Sequence, residues 1–181
     1  LVMAALLWGL PALGADRDIN AALRAAAERN DAPAFQGLLA RGADVNARDA
    51  QQDTAFLIAA RSGHAALVQS ALAAGADLRS LNRYGSTALM GPAYRGHVDT
   101  VRVLLGTAID VHHVNNLGWT ALLEAIVLGT DGAMHREIVR LLIARGSDVN
   151  ARDREGATAL QLAQRKGQVE VVRMLRAAGA R

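Results

Sequence analysis

The sequence predicts an all-α solenoid of about five helix–turn–helix units joined by β-turn or hairpin connections, and three observations support this fold class. The first is a period: a Thr-Ala pair followed by an apolar residue recurs at intervals of 33, 33 and 38 residues, at Thr54, Thr87, Thr120 and Thr158. The second is that an Ala-rich segment and then a Val- or Leu-rich segment with the i, i+3, i+4 spacing of amphipathic helices follow each pair. The third is the composition, 51% hydrophobic but only 3% aromatic, which suits short helices packed closely through Ala, Leu and Val.

The first 15 residues are predicted to be a secretory signal peptide. Residues 1–13 carry no charged side chain, and small residues follow before the charged segment 16–18. A short apolar run closed by small residues is typical of the h-region and cleavage site of such a signal, so cleavage is expected after Gly14 or Ala15. The basic n-region is missing. A short membrane anchor and a buried first helix are the alternatives, and they would leave the protein membrane-anchored or cytoplasmic.

Residues 16–181 are predicted to form one domain without linkers, with units at about 16–48, 49–81, 82–114, 115–152 and 153–181. In the last four units the first helix is expected to start at the repeated threonine, whose hydroxyl can accept hydrogen bonds from free backbone N–H groups. Those helices are predicted at 54–61, 87–94, 120–128 and 158–165. A glycine then marks the turn into the second helix of three units, at Gly63, Gly96 and Gly167.

Three residues break the repeat pattern. Pro92 lies inside the first helix of the third unit, where it removes a backbone donor and is expected to kink or shorten that helix. Ala108 replaces the glycine that follows the second helix elsewhere, and a left-handed alanine there would cost about 1 kcal/mol. Gln52 replaces the turn glycine that precedes the first helix of the second unit.

The fourth unit is five residues longer than the others, since its threonine and central valine are 19 residues apart rather than 14. The additional residues are predicted to form a loop between its two helices, at about 128–135, with His135 as a solvated side chain. Insertions in solenoids fall in loops and often on a binding edge. A tolerated loop without a role is the alternative, because surface insertions cost little free energy.

The repeated motifs resemble those of the ankyrin-repeat family. The Asp-x-x-Gly-x-Thr opening of that family is similar to 82–87 and 153–158, its Gly-His break to 63–64 and 96–97, and its Gly-Ala-Asp-Val-Asn-Ala close to 42–47 and 146–151. Alanine follows each threonine, where the family favours proline. The chain also resembles ankyrin-repeat proteins exported by Gram-negative bacteria. This resemblance implies a periplasmic, non-catalytic module that binds a protein partner, expected to be a monomer without stable membrane insertion.

No catalytic, metal or cofactor site is expected. The chain has no cysteine and contains no Gly-x-Ser-x-Gly, His-Glu-x-x-His or Gly-x-x-x-x-Gly-Lys motif. His64 and His97 occupy the break position of the family and are interpreted as structural, while the adjacent His112 and His113 lack a third metal ligand nearby. The mild net charge of +3 permits nucleic-acid binding without indicating it, so no nucleic-acid partner is expected.

By the same resemblance, a partner is expected on the turn tips and on the exposed ends of the first helices, which line the concave face of such arrays. The residues expected to bind a protein partner are Arg61, Arg83, Tyr84, Tyr94, Arg95, Trp119, His135 and Arg165. Tyr, Trp and Arg are enriched at interface hot spots. One alternative is that Trp119 and Tyr84 merely cover the stack between neighbouring turns. Another is that a basic stripe binds an anionic lipid, polysaccharide or nucleic acid, through Arg29, Arg61, Arg83, Arg95, Arg165 and Lys166.

Overall fold

The structure, a computed structural model, describes residues 13–181, with side chains from residue 19 onward. These residues form ten α-helices and no β-strand, and the β-type pairing among them is an isolated bridge between Arg152 and Thr158. The helices are α1 (Leu13–Glu28), α2 (Ala32–Ala40), α3 (Ala55–Arg61), α4 (Ala65–Ala73), α5 (Met90–Arg95), α6 (Val98–Leu105), α7 (Ala121–Val127), α8 (Ala133–Ala144), α9 (Ala159–Arg165) and α10 (Val169–Ala177). The predicted fold class is confirmed. Most of the predicted signal segment, residues 1–12, lies outside the described part of the chain.

The helices pack as five consecutive pairs in two layers. Each first helix (α1, α3, α5, α7, α9) contacts the next first helix, and each second helix contacts the next second helix. Small side chains allow this close approach, and in α3 the whole run from Ala55 to Ala60 is buried. One continuous core extends from Leu23 in α1 to Leu175 in α10. Within the described residues, no helix combines the length and apolar character needed to cross a membrane.

Three of the four repeated threonines cap the first helices, as predicted. Thr54, Thr120 and Thr158 each accept a hydrogen bond through the hydroxyl from the backbone N–H three residues later, at 3.2–3.3 Å. At Thr158 the contact is reciprocal, because the Gln161 side chain accepts a bond from the Thr158 N–H at 2.9 Å. This capping box satisfies two donors that a helix start otherwise leaves free.

Thr87 does not cap its helix, which corrects the prediction for the third unit. Helix α5 spans Met90–Arg95 instead of 87–94, and the Thr87 hydroxyl is buried without a hydrogen-bond partner. Pro92 explains the difference, because it has no N–H with which to bond the carbonyl of Ala88 and is tolerated only in the first turn of a helix. The proline thus shortens the helix, as expected, by moving its start to Met90.

Ala108 does not adopt the left-handed conformation, so the strain considered for it does not arise. Among the described residues other than glycine, positive φ occurs only at Asn30 and Gln52. The Thr107 hydroxyl replaces the missing glycine turn: it donates to the carbonyl oxygen of Leu104 at 2.6 Å and accepts from the N–H of the residue after Ala108 at 3.2 Å. At this turn a side chain makes hydrogen bonds that the backbone makes in other units, where a left-handed glycine follows the helix.

Left-handed backbone does occur at the predicted glycine turns, with φ of 82°, 83° and 67° at Gly63, Gly96 and Gly167. Gln52 has φ 63° at the place where other units have glycine. Its side chain is exposed and accepts a hydrogen bond through Oε1 from Arg48 at 3.3 Å. The second unit therefore keeps the left-handed turn, and the backbone of Gln52 is strained there because it is an L-residue with a side chain.

The longer fourth unit lengthens its second helix as well as the connection between its helices. Helix α8 has 12 residues, whereas α4 and α10 have nine each. Because α8 begins at Ala133, the predicted loop over 128–135 is wrong at its C-terminal end. The connection consists of residues 128–132, and His135 lies in the first turn of α8.

Candidate functional site

A cleft of about 330 Å³ opens between the first helices α3, α5 and α7 and the turns that precede α5 and α7. Four of the residues expected to bind a partner line this cleft, namely Arg61, Tyr84, Tyr94 and Arg95. They come from three different elements, and the stacking of the second, third and fourth units brings them together. The cleft is therefore the place where the predicted site residues are most concentrated.

Two of the residues that line the cleft, Gly91 and Glu124, occupy the fourth position after a repeated threonine. This position holds Ile58 and Leu162 in the second and fifth units, but Gly91 in the third and Glu124 in the fourth. Gly91 leaves room and also permits close helix packing, because a Cβ added there would lie 2.8 Å from the Cβ of Arg61. Any side chain at position 91 would meet α3, which packs directly against this face of α5.

Glu124 is a buried acid at the floor of the cleft, only 5% exposed. The Asn115 side-chain amide donates a hydrogen bond to its Oε1 at 2.7 Å and also approaches Ser86 Oγ at 3.2 Å. Burial raises the pKa of Glu124 to about 7, against the opposing effect of the hydrogen bonds from Asn115 and Ser86. A carboxyl close to half ionised at neutral pH is thus held where a ligand entering the cleft would meet it.

Asn115 is fixed in place by its own turn. Its side-chain oxygen accepts hydrogen bonds from the backbone N–H groups of Leu117 and Trp119, at 2.9 Å and 3.1 Å. This Asx-type arrangement leaves the amide nitrogen free to donate to Glu124. Sequence reasoning missed Glu124, although a comparison of the same position in every unit would have shown an acid where the other units have Ile58, Gly91 and Leu162.

Each tyrosine of the cleft is paired with the arginine next to it in sequence. The Arg83 guanidinium lies 4.8 Å from the ring centroid of Tyr84 and donates to its hydroxyl at 2.7 Å. Arg95 lies 5.1 Å from the ring centroid of Tyr94, and its Nε donates to that hydroxyl at 2.6 Å. Cation–π contacts and hydrogen bonds of this kind restrict both side chains and hold the two guanidinium groups at the rim.

Arg61 is already engaged by two carboxylates. It pairs with Asp53 at 2.6 Å and with Glu28 of the first unit at 3.1 Å. Burial raises the pKa of Asp53 above its ordinary value, although the neighbouring Arg61 acts in the opposite direction. This network links the first helices of neighbouring units. Arg61 therefore contributes to the structure of the cleft wall, and its charge is already paired.

The structure does not bring all the predicted binding residues together. Trp119 is half-buried and packs against the core, which agrees with its covering the stack, whereas Tyr84 is exposed. Arg165 lies in the fifth unit and lines a separate open groove with Glu155 and Gln161. The residues predicted to bind one partner therefore occupy different parts of the surface.

His135 is half-buried and hydrogen-bonded, so the expectation of a solvated side chain is wrong. Its Nε2 lies 2.8 Å from the carbonyl oxygen of Tyr94, and its Nδ1 lies 3.3 Å from Thr130 Oγ1. The reason is the extra length of α8, which begins early enough to place this ring against the end of α5. His135 thus positions the backbone of a cleft residue.

The fifth unit holds the connection 128–132 from the other side. Lys166 Nζ donates to the carbonyl oxygens of Val127 at 2.5 Å and Gly129 at 2.8 Å. Gln168 Nε2 donates to the carbonyl of Ile126 at 3.0 Å. The connection is therefore anchored, and Lys166 is committed to it rather than available to a basic stripe.

Within residues 19–181 no group of three or more His, Asp or Glu side chains is arranged to hold a metal ion. The histidines predicted to be structural lie at the turns, and the His97 ring occupies the space beside Gly63, since a Cβ on that glycine would lie 2.6 Å from it. His113 Nε2 lies 2.7 Å from the carbonyl oxygen of Gly85, which joins the end of the third unit to its own opening turn. The contacts of these rings are with backbone and turn residues.

Comparison with known proteins relates residues 23–181 to one family. A family model for ankyrin repeats (three copies) matches residues 23–115 and 108–181. The crystal structure of an ankyrin repeat domain from Acinetobacter baumannii AYE is similar, with a TM-score of 0.85 and 46% identity, over 88% of this chain and 81% of that one. The ankyrin repeat protein YahD of Escherichia coli K12 is 43% identical over 58 residues, which are 32% of this chain and 29% of that protein.

Proposed function

Because the chain belongs to the ankyrin-repeat family, whose members generally bind proteins and are generally non-catalytic, we propose that it is a non-catalytic module that binds a protein partner. The partner would bind at the cleft between the third and fourth units. The observation that carries the proposal is the convergence of Tyr84, Tyr94, Arg95 and the buried Glu124 on one concave site. Tyrosine and arginine are the side chains from which interface hot spots are most often built.

The rim of the cleft supports a macromolecular partner. Tyr84 and Leu128 are 50% exposed and Leu117 is 48% exposed, so large apolar side chains surround an open mouth. Scattered apolar side chains are ordinary on a surface, but a cluster around a cleft is typical of binding sites. A partner segment lying across this rim would bury the three side chains and exclude water from the cleft.

The alternative, an anionic lipid, polysaccharide or nucleic acid bound by a basic stripe, has weaker support. Arg61 is paired with two carboxylates, and Lys166 donates to backbone carbonyl groups. Arg83 and Arg95 are held by their tyrosines at the rim. Several of the charges that such a stripe requires are therefore already engaged within the protein.

Capture experiments test the proposal. The tagged wild-type chain and a Tyr84→Ala, Tyr94→Ala variant would be used to capture proteins from an extract of the source cells, at salt concentrations of roughly 0.15 M and 0.5 M. A Met134→Ala, Val169→Ala variant is the matched control, because both side chains are exposed and lie outside the cleft. Circular dichroism would verify that each variant is folded.

The expected result is that wild type and control capture the same protein at both salt concentrations, and that the tyrosine variant loses it. Equal capture by the tyrosine variant would show that the cleft is not the binding site. A steep loss of all binding at the higher salt, with recovery of nucleic acid or lipid, would favour the basic stripe instead.

We also propose that the protein is exported to the periplasm. Support comes from the uncharged apolar stretch at 1–13 and the small residues Gly14 and Ala15 that follow it. Fractionation of cells that express the tagged protein, with N-terminal sequencing of the product, tests this. Periplasmic protein starting close to residue 16 is expected, and uncleaved protein confined to the cytoplasm would contradict export.

A further inference from the structure

Glu124 presents an acceptor without a cationic partner. Its carboxylate has four lone-pair positions, and the neutral donors Asn115 and Ser86 use part of this capacity. Among residues 19–181, no arginine, lysine or histidine lies within ion-pair distance of it. A buried carboxylate of this kind is stabilised most by a donor that carries a positive charge.

The walls above Glu124 are largely apolar. Tyr84 and Tyr94 contribute aromatic rings, and Leu117 and Leu128 contribute aliphatic side chains at the mouth. Gly91, which has no side chain, lines the cleft beside Glu124. A group that fits such a site has an apolar stem and a compact charged end, a description that matches the four-carbon stem and ammonium group of lysine.

We propose that the cleft receives a lysine side chain of the partner, with its stem along Tyr84 and Tyr94 and its ammonium group donating to Glu124. The inference rests on the proposed function, since it names the chemistry by which a protein partner is recognised. The partner is thus expected to expose a lysine on a segment able to reach the floor of the cleft.

The arginines of the rim do not cancel this preference. Arg61 is paired with Asp53 and Glu28, while Arg83 and Arg95 lie at the tyrosine hydroxyls near solvent. Repulsion between a lysine and these exposed charges is screened by water and salt. The attraction to Glu124 acts at short range in a buried site, where screening is much weaker.

Nuclear magnetic resonance titration with small probes tests the proposal without requiring the partner. Nα-acetyl-lysine amide would be compared with Nα-acetyl-norleucine amide, which has the stem but no ammonium group, and with Nα-acetyl-glutamate amide. The proteins would be wild type, Glu124→Gln and the control Glu155→Gln, whose carboxylate is exposed outside the cleft. Dispersed amide spectra would verify that each variant is folded.

The lysine probe is expected to shift amide signals around the cleft and to bind wild type and Glu155→Gln equally. It should bind Glu124→Gln about tenfold or more weakly, because the charged acceptor is lost. Equal binding of the lysine and norleucine probes, or undiminished binding to Glu124→Gln, would overturn the proposal. Tighter binding of the glutamate probe at the cleft would also overturn it and would indicate recognition by the rim arginines.

The dependence of binding on pH gives a second readout on the wild-type protein alone. With a Glu124 pKa of about 7, ionisation should make the lysine probe bind about tenfold more tightly at pH 8 than at pH 6. Besides Glu124, the charged and titratable groups at the cleft are Arg61 with its partner Asp53, Arg95, Tyr84 and Tyr94. Binding independent of pH would overturn the proposal even if Glu124→Gln failed to fold.

Failure of this inference can be distinguished from failure of the proposed function. If capture of a partner requires Tyr84 and Tyr94 but the lysine probe binds Glu124→Gln as tightly as wild type, the cleft binds a partner by other chemistry. If capture does not depend on the two tyrosines, the cleft is not the binding site and the proposed function fails at that point, whatever the probe does.

Discussion

Glu124 should make the protein less stable as the pH rises towards neutrality. Burial raises the pKa of this carboxyl from an ordinary 4.5 to about 7 in the folded chain. Between these values the folded chain binds more protons than the unfolded chain, so the free energy of unfolding decreases as the pH increases. The stability associated with the protonated carboxyl is complete below about pH 4.5 and lost once the pH passes about 7.

The size of the effect follows from the same two pKa values. At about 1.36 kcal/mol per pH unit, the interval from 4.5 to about 7 corresponds to about 3 kcal/mol of unfolding free energy. Glu124→Gln keeps the size of the side chain and an oxygen that can accept from Asn115, but it cannot ionise. This variant should therefore match wild type near pH 4.5 and be more stable by up to about 3 kcal/mol at pH 8.

Urea unfolding followed by far-UV circular dichroism, repeated between pH 5 and pH 8, measures the difference. Other titrating groups, such as His97, whose pKa burial lowers, contribute equally to both proteins and cancel in the comparison. Glu155→Gln is the control, since an exposed carboxylate should leave the pH dependence of wild type unchanged. A gap between Glu124→Gln and wild type that stays constant across this range would refute the reasoning.

Four further substitutions test the local structure. Gln52→Gly should raise the free energy of unfolding by about 0.5–1 kcal/mol, because glycine accepts a positive φ without strain, and an unchanged value in urea titration would count against that strain. Thr158→Ala should lower the free energy of unfolding by about 1 kcal/mol, because it removes a capping box. Thr87→Val should lower it little or raise it, because it removes a buried hydroxyl without a hydrogen-bond partner. Equal losses of stability in thermal melts would be inconsistent with this difference. Gly91→Ala should destabilise by about 1–3 kcal/mol, because the new Cβ would lie 2.8 Å from the Arg61 Cβ, and a wild-type melting temperature would show that the helices are not in close contact there.

Features that depend on a few neighbouring residues were predictable from the sequence. The capping hydroxyl of Thr54, the left-handed turn at Gly63 and the shortening effect of Pro92 each follow from chemistry within about one helical turn. The fold class follows from the repetition of such features at a constant period. Each of these features has its cause in one residue type at a fixed place in the repeat, and for that reason the sequence predicts it.

Features that depend on compensation between residues were not predictable in this way. The Thr107 hydroxyl removes the need for a glycine at Ala108, and Pro92 deprives Thr87 of a helix to cap. Neither residue of a pair reveals this effect when it is considered alone. The outcome at each position is decided by a neighbour that the family pattern does not specify.

The site was predictable only in part, for a related reason. Tyr84 and Tyr94 could be placed on one face by their positions in the repeat, and they do line a common cleft. Glu124 is bonded by Asn115 of its own unit and by Ser86 of the preceding unit, and this combination arises only when the units stack. That these residues bind a partner stays a prediction.

The anchored connection 128–132 has a consequence for how the array unfolds. In a stacked array each unit contacts only its neighbours, so stability is a sum of unit terms and interface terms. His135 bonds the fourth unit to the third, and Lys166 and Gln168 bond the fifth unit to this connection, which adds contacts at two consecutive interfaces. Opening should then begin at the first unit rather than progress inward from both ends, and amide exchange should be slowest in the half of the array that contains α7 and α8.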